Sequence, residues 1–378
     1  MYCAAVMAPA AAPLLGVAPA AVGYFVTVAY LGSMIGTVTA GGWVARFGPI
    51  RVSQCGLLLC GCGLAVAASG TLPAVVLGAL LIGLGYGPAT PASSVILART
   101  APPGMLALTF SIKQTGVPLG TAIAGAAVPG MVLVLGWQGA ALAIGIVCAL
   151  FALVIIPVRE RYDRERNRAA PVSLRSAIAP ALLVLRNRPI FLLAMTSLIY
   201  GGVQITLVSY LVTFLTESFA LSLVLAGMVM AASQLASVVG RVAWGIFADR
   251  IATRRATLGM LGVGMGLTAL FALAARPDWP LWVMFAFAMA LGATAVGWNG
   301  VFLAELTRLA PKDRVSDVTG GASFFTFLGV VITPPLFHLI FNVTGSYGLT
   351  YALLGLPALA VGAALLMTAR IFRHDRNS

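Results

Sequence analysis

The stretch GIFADRIATRR at residues 245–255 lies between two long apolar runs, and its skeleton occurs twice in the chain. The earlier copy is GGWVARFGPIR at residues 41–51, at an offset of 204 positions. A second pair, ARTAP at 98–102 and TRLAP at 307–311, repeats at an offset of 209. Two equivalent halves with small loop insertions explain both offsets, and internal repeats of this kind are a feature of many membrane proteins.

The composition places both halves in a membrane. Of the 378 residues, 60% are hydrophobic and 9% are charged, against roughly 25% charged in a soluble globular domain. The mean hydropathy is +1.02. The 42 Gly and 21 Pro residues fit a bundle of membrane helices, in which small residues allow close helix contact and proline is tolerated. This composition excludes an ordinary cytosolic enzyme.

Eleven apolar runs are long enough to cross a hydrocarbon core of about 30 Å. They cover approximately 20–44, 52–70, 73–98, 105–135, 137–157, 190–215, 222–248, 256–275, 280–305, 318–342 and 347–369. A shorter apolar segment, Met1 to about Leu15, precedes them. We interpret it as the outer part of a first helix whose beginning is missing, through a misassigned start or a real truncation. The expected fold is an all-α membrane protein of about twelve transmembrane helices, the first of them shortened.

The positions of Lys and Arg predict the orientation. If the loop with Arg46 and Arg51 is cytoplasmic, 20 of the 23 Lys and Arg residues lie on that side, and only Arg276 lies in an opposite loop. This positive-inside pattern accounts for the net charge of +13 without a nucleic-acid partner. We expect both termini in the cytoplasm, an N-terminal helical half at 1–157, a basic cytoplasmic linker at 158–189 and a C-terminal helical half at 190–378.

The repeated loop is similar to a signature of the major facilitator superfamily, G-x-x-x-D-R-x-G-R-R, found between the second and third helices with a weaker copy between the eighth and ninth. The resemblance covers essentially the whole chain and implies two six-helix halves that transport a solute by alternating access. The second copy here keeps the acid, whereas Ala45 replaces it in the first. The candidate gating residues are Gly245, Asp249, Arg250, Arg254, Arg255, Gly41, Arg46 and Arg51.

In the gating interpretation, a carboxylate at a helix end makes charge-assisted hydrogen bonds to guanidinium groups and so stabilises one conformation. The alternative is a basic loop with an incidental ion pair. Two further segments, SIKQTGVPLG at 111–120 and GWNG at 297–300, are similar to segments of bacterial members of the cyanate-permease and oxalate type. That resemblance implies a small organic or inorganic anion as the substrate and the bacterial inner membrane as the location.

Two cations within the apolar spans are functional candidates, because ionisable groups near mid-bilayer are costly. Arg241 lies eight residues before Asp249, and Lys113 lies nine residues after Gly104. At about 1.5 Å per residue, both approach the midplane. An anion between them would remove their mutual repulsion and would accept guanidinium hydrogen bonds. The alternatives for each cation are bonding to helix carbonyls and extension toward the inner surface.

Neutral polar side chains within the spans are candidates to complete an anion site, although each is often an interhelical hydrogen bond or a packing group. They are Gln114, Asn299, Tyr200, Gln204 and Gln234. No carboxylate falls at the midplane, and Glu305, at the inner end of its span, is the coupling candidate. Proton coupling through the substrate or through Lys113, and exchange against a counter-anion, are the other interpretations.

The sequence therefore predicts a secondary active transporter of a small anion, a monocarboxylate or similar organic acid, coupled to protons or to a counter-anion. A monomer in the lipid bilayer is expected, with no metal and no cofactor. No enzyme is expected either, since no nucleophile, base and orienting group occur at suggestive spacing. The alternatives are an exporter of amphipathic drugs and a non-transporting membrane protein with a truncated first helix.

Overall fold

The computed structural model describes residues 22–164, 166–170 and 174–374, together with Cys3, Met7 and residues 10–17. Within these ranges every regular element is helical. In chain order the α-helices are α1 (Val22–Phe47), α2 (Pro49–Ala67), α3 (Leu72–Tyr86), α4 (Ala89–Thr100), α5 (Leu106–Gln114), α6 (Gly116–Val154), α7 (Ile156–Tyr162), α8 (Leu174–Arg186), α9 (Arg188–Phe219), α10 (Leu223–Arg250), α11 (Arg254–Phe271), α12 (Leu281–Ala295), α13 (Asn299–Leu309), α14 (Val315–Thr344) and α15 (Tyr347–His374). Short 3₁₀ helices cover Pro13–Leu15 and Ala272–Ala274.

Ten stretches of the described residues are long and apolar enough to cross a membrane. One of them, Leu106–Val154, is 49 residues long and contains two of the predicted runs. It turns at Gly136, whose φ of 69° interrupts helical geometry inside α6. The all-α membrane fold is thereby confirmed. The shortened first span at Met1–Leu15 lies largely outside the described residues.

Local sequence signals begin several of these helices. Ser222 precedes α10 and its Oγ accepts a hydrogen bond from the Leu225 amide at 3.3 Å. Thr253 precedes α11 and accepts from the Ala256 amide at 3.2 Å. Each hydroxyl satisfies one of the amides that have no partner at a helix start. The loop motif at 245–255 is therefore short and structured, with only three residues between α10 and α11.

The predicted runs at 73–98 and 280–305 are each split into two helices at equivalent positions. The bounds of α3 and α12 differ by 209 residues at both ends, which matches the offset found in the sequence. Pro88 marks the first break, since its ring carries no amide hydrogen. The second break, at residues 296–298, contains no proline. The run at 105–135 is also broken, at Thr115 between α5 and α6.

The chain divides into two compact units. Unit 1 takes the described residues of 1–100, 117–191 and 309–327, and unit 2 takes those of 101–116, 192–308 and 328–378. Residues 101–116, which carry Lys113, thus group with Arg241 in unit 2. The boundaries predicted at 157 and 190 stay a prediction.

Close helix contacts in each unit depend on glycine. In unit 1, Gly83 of α3 packs against the backbone of Ala29 in α1. In unit 2, α11 packs on α15 through Gly259, Gly262 and Gly266. A Cβ atom at any of these positions would meet backbone or side-chain atoms of the neighbouring helix. Small residues therefore set the helix separation, as is common in membrane bundles.

The basic linker contacts the helices α1 and α2. It contains α7 and α8, and described residues between these two helices touch the end of α1 and the start of α2. The Asn167 amide donates to the Ala45 carbonyl at 2.8 Å. The Asp163 carboxylate accepts from the Ile50 and Arg51 amides at 2.9 and 3.1 Å. The segment around Asp163 is thus fixed to the loop that carries the first copy of the repeated motif.

Candidate functional site

Arg241, on α10, joins two helix ends inside unit 2. It is buried, with an exposed fraction of 2%. Its Nε donates to the Val296 carbonyl at 3.0 Å, and its Nη1 donates to the Gln114 carbonyl. Gln114 ends α5 and Val296 follows the last residue of α12, so both carbonyls lie where a helix is broken. A guanidinium is favourable there, because terminal carbonyls have no partner within the helix and carry partial negative charge.

Lys113 lies beside this group. Its Nζ donates to the Gln114 side-chain Oε1 at 2.9 Å. Lys113 is half-buried and close enough to Arg241 for the two positive charges to repel each other. Gln114 therefore serves both cations, Arg241 through its backbone carbonyl and Lys113 through its side chain. The structure brings these three predicted residues together at the break between α5 and α6.

Gln204, Trp298 and Asn299 form a second polar group. Gln204 Oε1 accepts from Trp298 Nε1 at 2.9 Å and from Asn299 Nδ2 at 3.1 Å. An indole can only donate, so the Gln204 oxygen must face Trp298, and this fixes the orientation of the amide. The two hydrogens on Gln204 Nε2 consequently point away from Trp298. Trp298 and Asn299 both lie in the GWNG segment that the sequence singles out.

Tyr200 packs against this second group. Its ring meets the Trp298 ring edge-on at 5.7 Å, and its hydroxyl donates to the Leu258 carbonyl at 3.0 Å. The hydroxyl is thus engaged with the backbone of α11. Gln234 is half-buried on α10, with its Nε2 3.9 Å from Met230 Sδ one turn earlier. The contacts of Tyr200 and Gln234 do not join the cation group.

The break at residues 296–300 connects the two polar groups. Arg241 contacts it at Val296, and Gln204 contacts it at Trp298 and Asn299. Gly300 packs so closely on Ser111 of α5 that a Cβ atom would not fit. Discontinuous membrane helices commonly form the binding sites of secondary transporters. This junction of α5, α10, α12 and α13 is therefore the candidate site, and substrate binding by its residues stays a prediction.

The second copy of the motif is built around Asp249 at the end of α10. Its carboxylate accepts from the Ala107 amide at 3.1 Å and from the Leu108 amide at 2.8 Å, both in the first turn of α5. Arg254 Nη2 also donates to Asp249 Oδ1 at 3.0 Å. Met105, the residue before α5, offers no side-chain cap. Asp249 therefore caps α5 in addition to pairing with a guanidinium, and its gating role stays a prediction.

Other members of the second copy have separate partners. Gly245 packs against Leu108 and Ser111 of α5, with no room for a Cβ atom. Arg250 is exposed. Arg255 Nε donates at 3.1 Å to Glu305, which is buried. The motif thus joins α10 and α11 to both α5 and α13.

Glu305 is the centre of an ion-pair cluster. Besides Arg255, it binds Arg308, whose Nε and Nη2 donate to its two oxygens at 2.8 and 2.7 Å. Both carboxylate oxygens are therefore occupied by guanidinium donors. Protonating this carboxylate would remove the charge that holds both pairs. A coupling role for Glu305 stays a prediction, and its contacts are those of a structural anchor.

The first copy of the motif lies in unit 1 and uses different residues. Gly41 packs on the carboxylate of Asp317 in the first turn of α14. Asp317 Oδ2 also accepts from Arg314 at 3.0 Å. Arg46 and Arg51 are exposed, with the Arg46 guanidinium 5.6 Å from the Phe47 ring centre. Where the second copy has Asp249, the first has Ala45, and the nearby carboxylate comes from α14.

Comparison with known proteins agrees with this architecture. The chain matches the Major Facilitator Superfamily over residues 1–334. It is 36% identical over 124 residues to the probable nitrate/nitrite transporter NarK2 of Mycobacterium tuberculosis, covering 33% of this chain and 30% of that protein. It is 22% identical over 298 residues to the hexuronate transporter of Bacillus subtilis, covering 76% and 70%. The matches to the first curated relatives span less than a third of their length.

Solved structures show the same fold. The fucose:proton symporter FucP of E. coli superposes with a TM-score of 0.75 at 15% sequence identity, over 97% of this chain and 95% of that one. At such low identity, the likeness concerns the fold alone. The family match extends over most of the chain, through both copies of the motif. The chain therefore belongs to the Major Facilitator Superfamily and is a multi-pass membrane protein.

Proposed function

We propose that this transporter moves a small anion, a monocarboxylate or similar organic acid, by alternating access. One observation carries the proposal: Lys113 and Arg241 lie together within unit 2, at the junction of broken helices. Two neighbouring cations within membrane spans are costly unless they bind something negative. A monovalent anion beside them offsets part of that cost, because it lowers the repulsion between the two cations.

The neutral polar groups around the junction also favour a negatively charged ligand. Lys113 can only donate, so the Gln114 side-chain oxygen faces it and the Gln114 amide hydrogens point elsewhere. The Gln204 oxygen is occupied by Trp298 and Asn299. Both glutamines therefore present N–H donors to any ligand in the junction. Donors of this kind suit a carboxylate or another oxyanion and disfavour a cation.

Nitrate or nitrite is a second candidate substrate, favoured by the name of one relative. NarK2 is called a probable nitrate/nitrite transporter, and the second relative is called a hexuronate transporter. Nitrate and carboxylate groups are both planar and carry their negative charge on oxygen. A site made of guanidinium, ammonium and amide donors can accept either shape.

We infer that the transporter acts as a monomer in the bacterial inner membrane, with both termini and the basic loops in the cytoplasm. The 20 cations on one side support this orientation. Because the oxygens of Glu305 are engaged by Arg255 and Arg308, we favour coupling through a counter-anion or through a proton carried by the substrate.

Uptake into proteoliposomes tests the proposal. Labelled formate, acetate, oxalate, nitrate and nitrite would be offered under imposed pH and counter-anion gradients, to wild type and to Lys113→Gln and Arg241→Gln. We expect saturable uptake that falls at least about tenfold in both variants, since each loses a charged hydrogen bond. Lys312→Gln removes an exposed cation outside the junction and should transport normally.

Arg241→Lys keeps the charge and separates binding from folding. If Arg241→Gln is monodisperse and binds no anion, whereas Arg241→Lys retains partial uptake, charge is the required property. Anion uptake that is unchanged in all variants would make both residues structural. Transport of amphipathic cations instead of anions would favour a drug exporter, and the absence of any transport would favour a non-transporting protein.

A further inference from the structure

A concave, basic surface lies in the linker of unit 1. The cavity has a volume of 640 Å³ and is lined by Ile156, Arg159, Glu160, Asp163, Arg164, Arg166 and Arg168. Four of these seven residues are arginines. The volume is within the range of about 300–1,000 Å³ that is typical of small-molecule sites.

Asp163, an acidic residue of the cavity lining, is already engaged by contacts within the fold. Asp163 is buried, and its two oxygens accept from the Ile50 and Arg51 amides at the start of α2. Arg159 lies 3.5 Å from the same carboxylate. Gly48, with φ of 92°, leaves no room for a Cβ atom beside Asp163. The carboxylate thus serves to hold the linker against α2.

Three of the arginines that line the cavity form no ion pair with a described residue. Among the described residues, Arg164, Arg166 and Arg168 have no carboxylate within salt-bridge distance. Arg164 and Arg168 are exposed and Arg166 is half-buried. Among the described residues of the lining, Glu160 is the other acid. The cavity therefore carries an excess of positive charge that is held in place by the Asp163 and Asn167 contacts.

The position of the cavity along the chain relates it to the lipid. Ile156 follows α6, whose last turns expose large apolar side chains. These are Leu150, Phe151, Leu153 and Val154, each more than half exposed. Arg159 lies five residues beyond Val154, within α7. The arginines thus begin about where an apolar, lipid-facing surface ends.

We propose that this cavity binds the phosphate of an anionic phospholipid, with the acyl chains lying along the exposed face of α6. Guanidinium groups bind phosphate oxygens through paired hydrogen bonds. Basic pockets next to membrane helices on the cytoplasmic side recognise anionic headgroups. A free phosphate would use the arginines but not the apolar surface that adjoins them. The phospholipid uses both.

Native mass spectrometry of the full-length protein, released from detergent with equal amounts of phosphatidylglycerol and phosphatidylcholine, tests this proposal. Wild type would be compared with the triple variant Arg164→Gln/Arg166→Gln/Arg168→Gln. The matched control, Arg186→Gln/Arg188→Gln/Lys312→Gln, removes three exposed cations of the same unit that lie outside the cavity. We expect phosphatidylglycerol adducts on wild type and on the control, and adducts at least about tenfold fewer on the cavity variant.

Three outcomes would overturn the proposal. They are equal binding of both lipids to wild type, equal loss of adducts in the two triple variants, and displacement of phosphatidylglycerol by millimolar inorganic phosphate. If the triple variant is not monodisperse, Arg166→Gln alone and the triple Arg→Lys variant replace it. Retained binding in the lysine variant and reduced binding in Arg166→Gln would support the proposal, and unchanged binding in Arg166→Gln would count against it. None of these measurements requires transport activity.

Discussion

The indole of Trp298 is the residue that gives the second polar group of the candidate site a direction. It cannot accept a hydrogen bond, so it fixes which end of the Gln204 amide faces it. Without the indole, the amide could rotate and present its oxygen to a ligand. In the proposed anion site, we therefore expect Trp298 to be a positioning residue that acts on the anion through Gln204.

Replacing Trp298 with Phe should weaken anion binding. Phenylalanine keeps an aromatic side chain, although a smaller one, and one hydrogen bond of about 1 kcal/mol is lost, so KM for the transported anion should rise about fivefold. Uptake kinetics in proteoliposomes measure KM and the maximal rate separately. Trp244→Phe is the matched control, because the Trp244 indole donates to the Ala293 carbonyl at 3.0 Å. A change confined to the maximal rate, or an equal rise in KM in both variants, would contradict the positioning role.

Glu305→Gln should lower stability and leave coupling intact. The variant keeps an acceptor oxygen, yet it loses the charge that binds Arg255 and Arg308. Because these arginines are 22% and 48% exposed, water screens part of the effect. We expect a loss of about 1–2 kcal/mol, seen as a midpoint lowered by about 3 °C on thermal unfolding in detergent.

The alternative role of Glu305 predicts a different result for the same variant. A proton carrier replaced by Gln would lose uptake driven by a pH gradient and keep counter-anion exchange. Glu217→Gln is a suitable control, since Glu217 is exposed and accepts from the Tyr347 hydroxyl at 2.8 Å. Normal stability combined with loss of pH-driven uptake would restore Glu305 as the coupling residue.

At the scale of elements, α5 is held at both ends by one neighbouring helix. Asp249 caps its first turn and Arg241 binds the carbonyl of its last residue. The two residues are eight positions apart on α10, about 12 Å, and the nine residues of α5 span about 13.5 Å. The carboxylate lies at the positive end of α5 and the guanidinium at its negative end. The two charges thus match the length and the dipole of α5.

Removing the carboxylate should loosen the start of α5. In Asp249→Ala, the Ala107 and Leu108 amides lose their acceptors, and Met105 provides no substitute. Loss of a cap costs about 1 kcal/mol, so amide hydrogen exchange in the first turn should be about fivefold faster. Mass spectrometry of peptides covering residues 104–114 measures this exchange. Asp313→Ala, at an exposed acid, should leave exchange in these peptides unchanged.

At the scale of the whole molecule, the two copies of the motif differ in which of the two contacting helices carries the carboxylate. The second copy has Asp249 on α10, facing Leu108 of α5. The first copy has Ala45 on α1, and Asp317 on α14 occupies the position equivalent to Leu108 at the repeat offset of 209. The Asp317 carboxylate lies against Gly41 of α1. The acid is thus present in both units, and in unit 1 it is carried by α14 and not by α1.

Moving the acid from position 317 to position 45 should preserve the slow amide exchange at the start of α14. Asp317→Leu alone should speed exchange of the first amides of α14 by about fivefold, as expected for a lost helix-terminal charge and acceptor. Adding Ala45→Asp recreates the arrangement of the second copy and should restore slow exchange. Ala45→Asp on its own sets two acids close together and should bring no protection. Failure of the double variant to recover would mean that the two positions are not equivalent.

Much of the architecture can be predicted from the sequence, because apolar length and repeated motifs are local signals. The runs around Arg241 and Lys113 and the two copies of the motif are examples. The particular carbonyls that Arg241 binds cannot be predicted in this way, because they lie next to the helix breaks at Thr115 and at residues 296–298. The second break has no proline to mark it. The Asp163 cap joins residues more than a hundred positions apart, and no spacing rule indicates it.

The same long separations set an order of events during synthesis. The first amides of α2 meet their acceptor only when Asp163 has been translated, 113 residues after Ile50. Those of α5 wait for Asp249, 142 residues after Ala107. At about 5–20 residues per second, the two delays are on the order of ten seconds. The contacts at the start of α2 can therefore form before those at the two ends of α5, whose partners Arg241 and Asp249 are both translated after the linker.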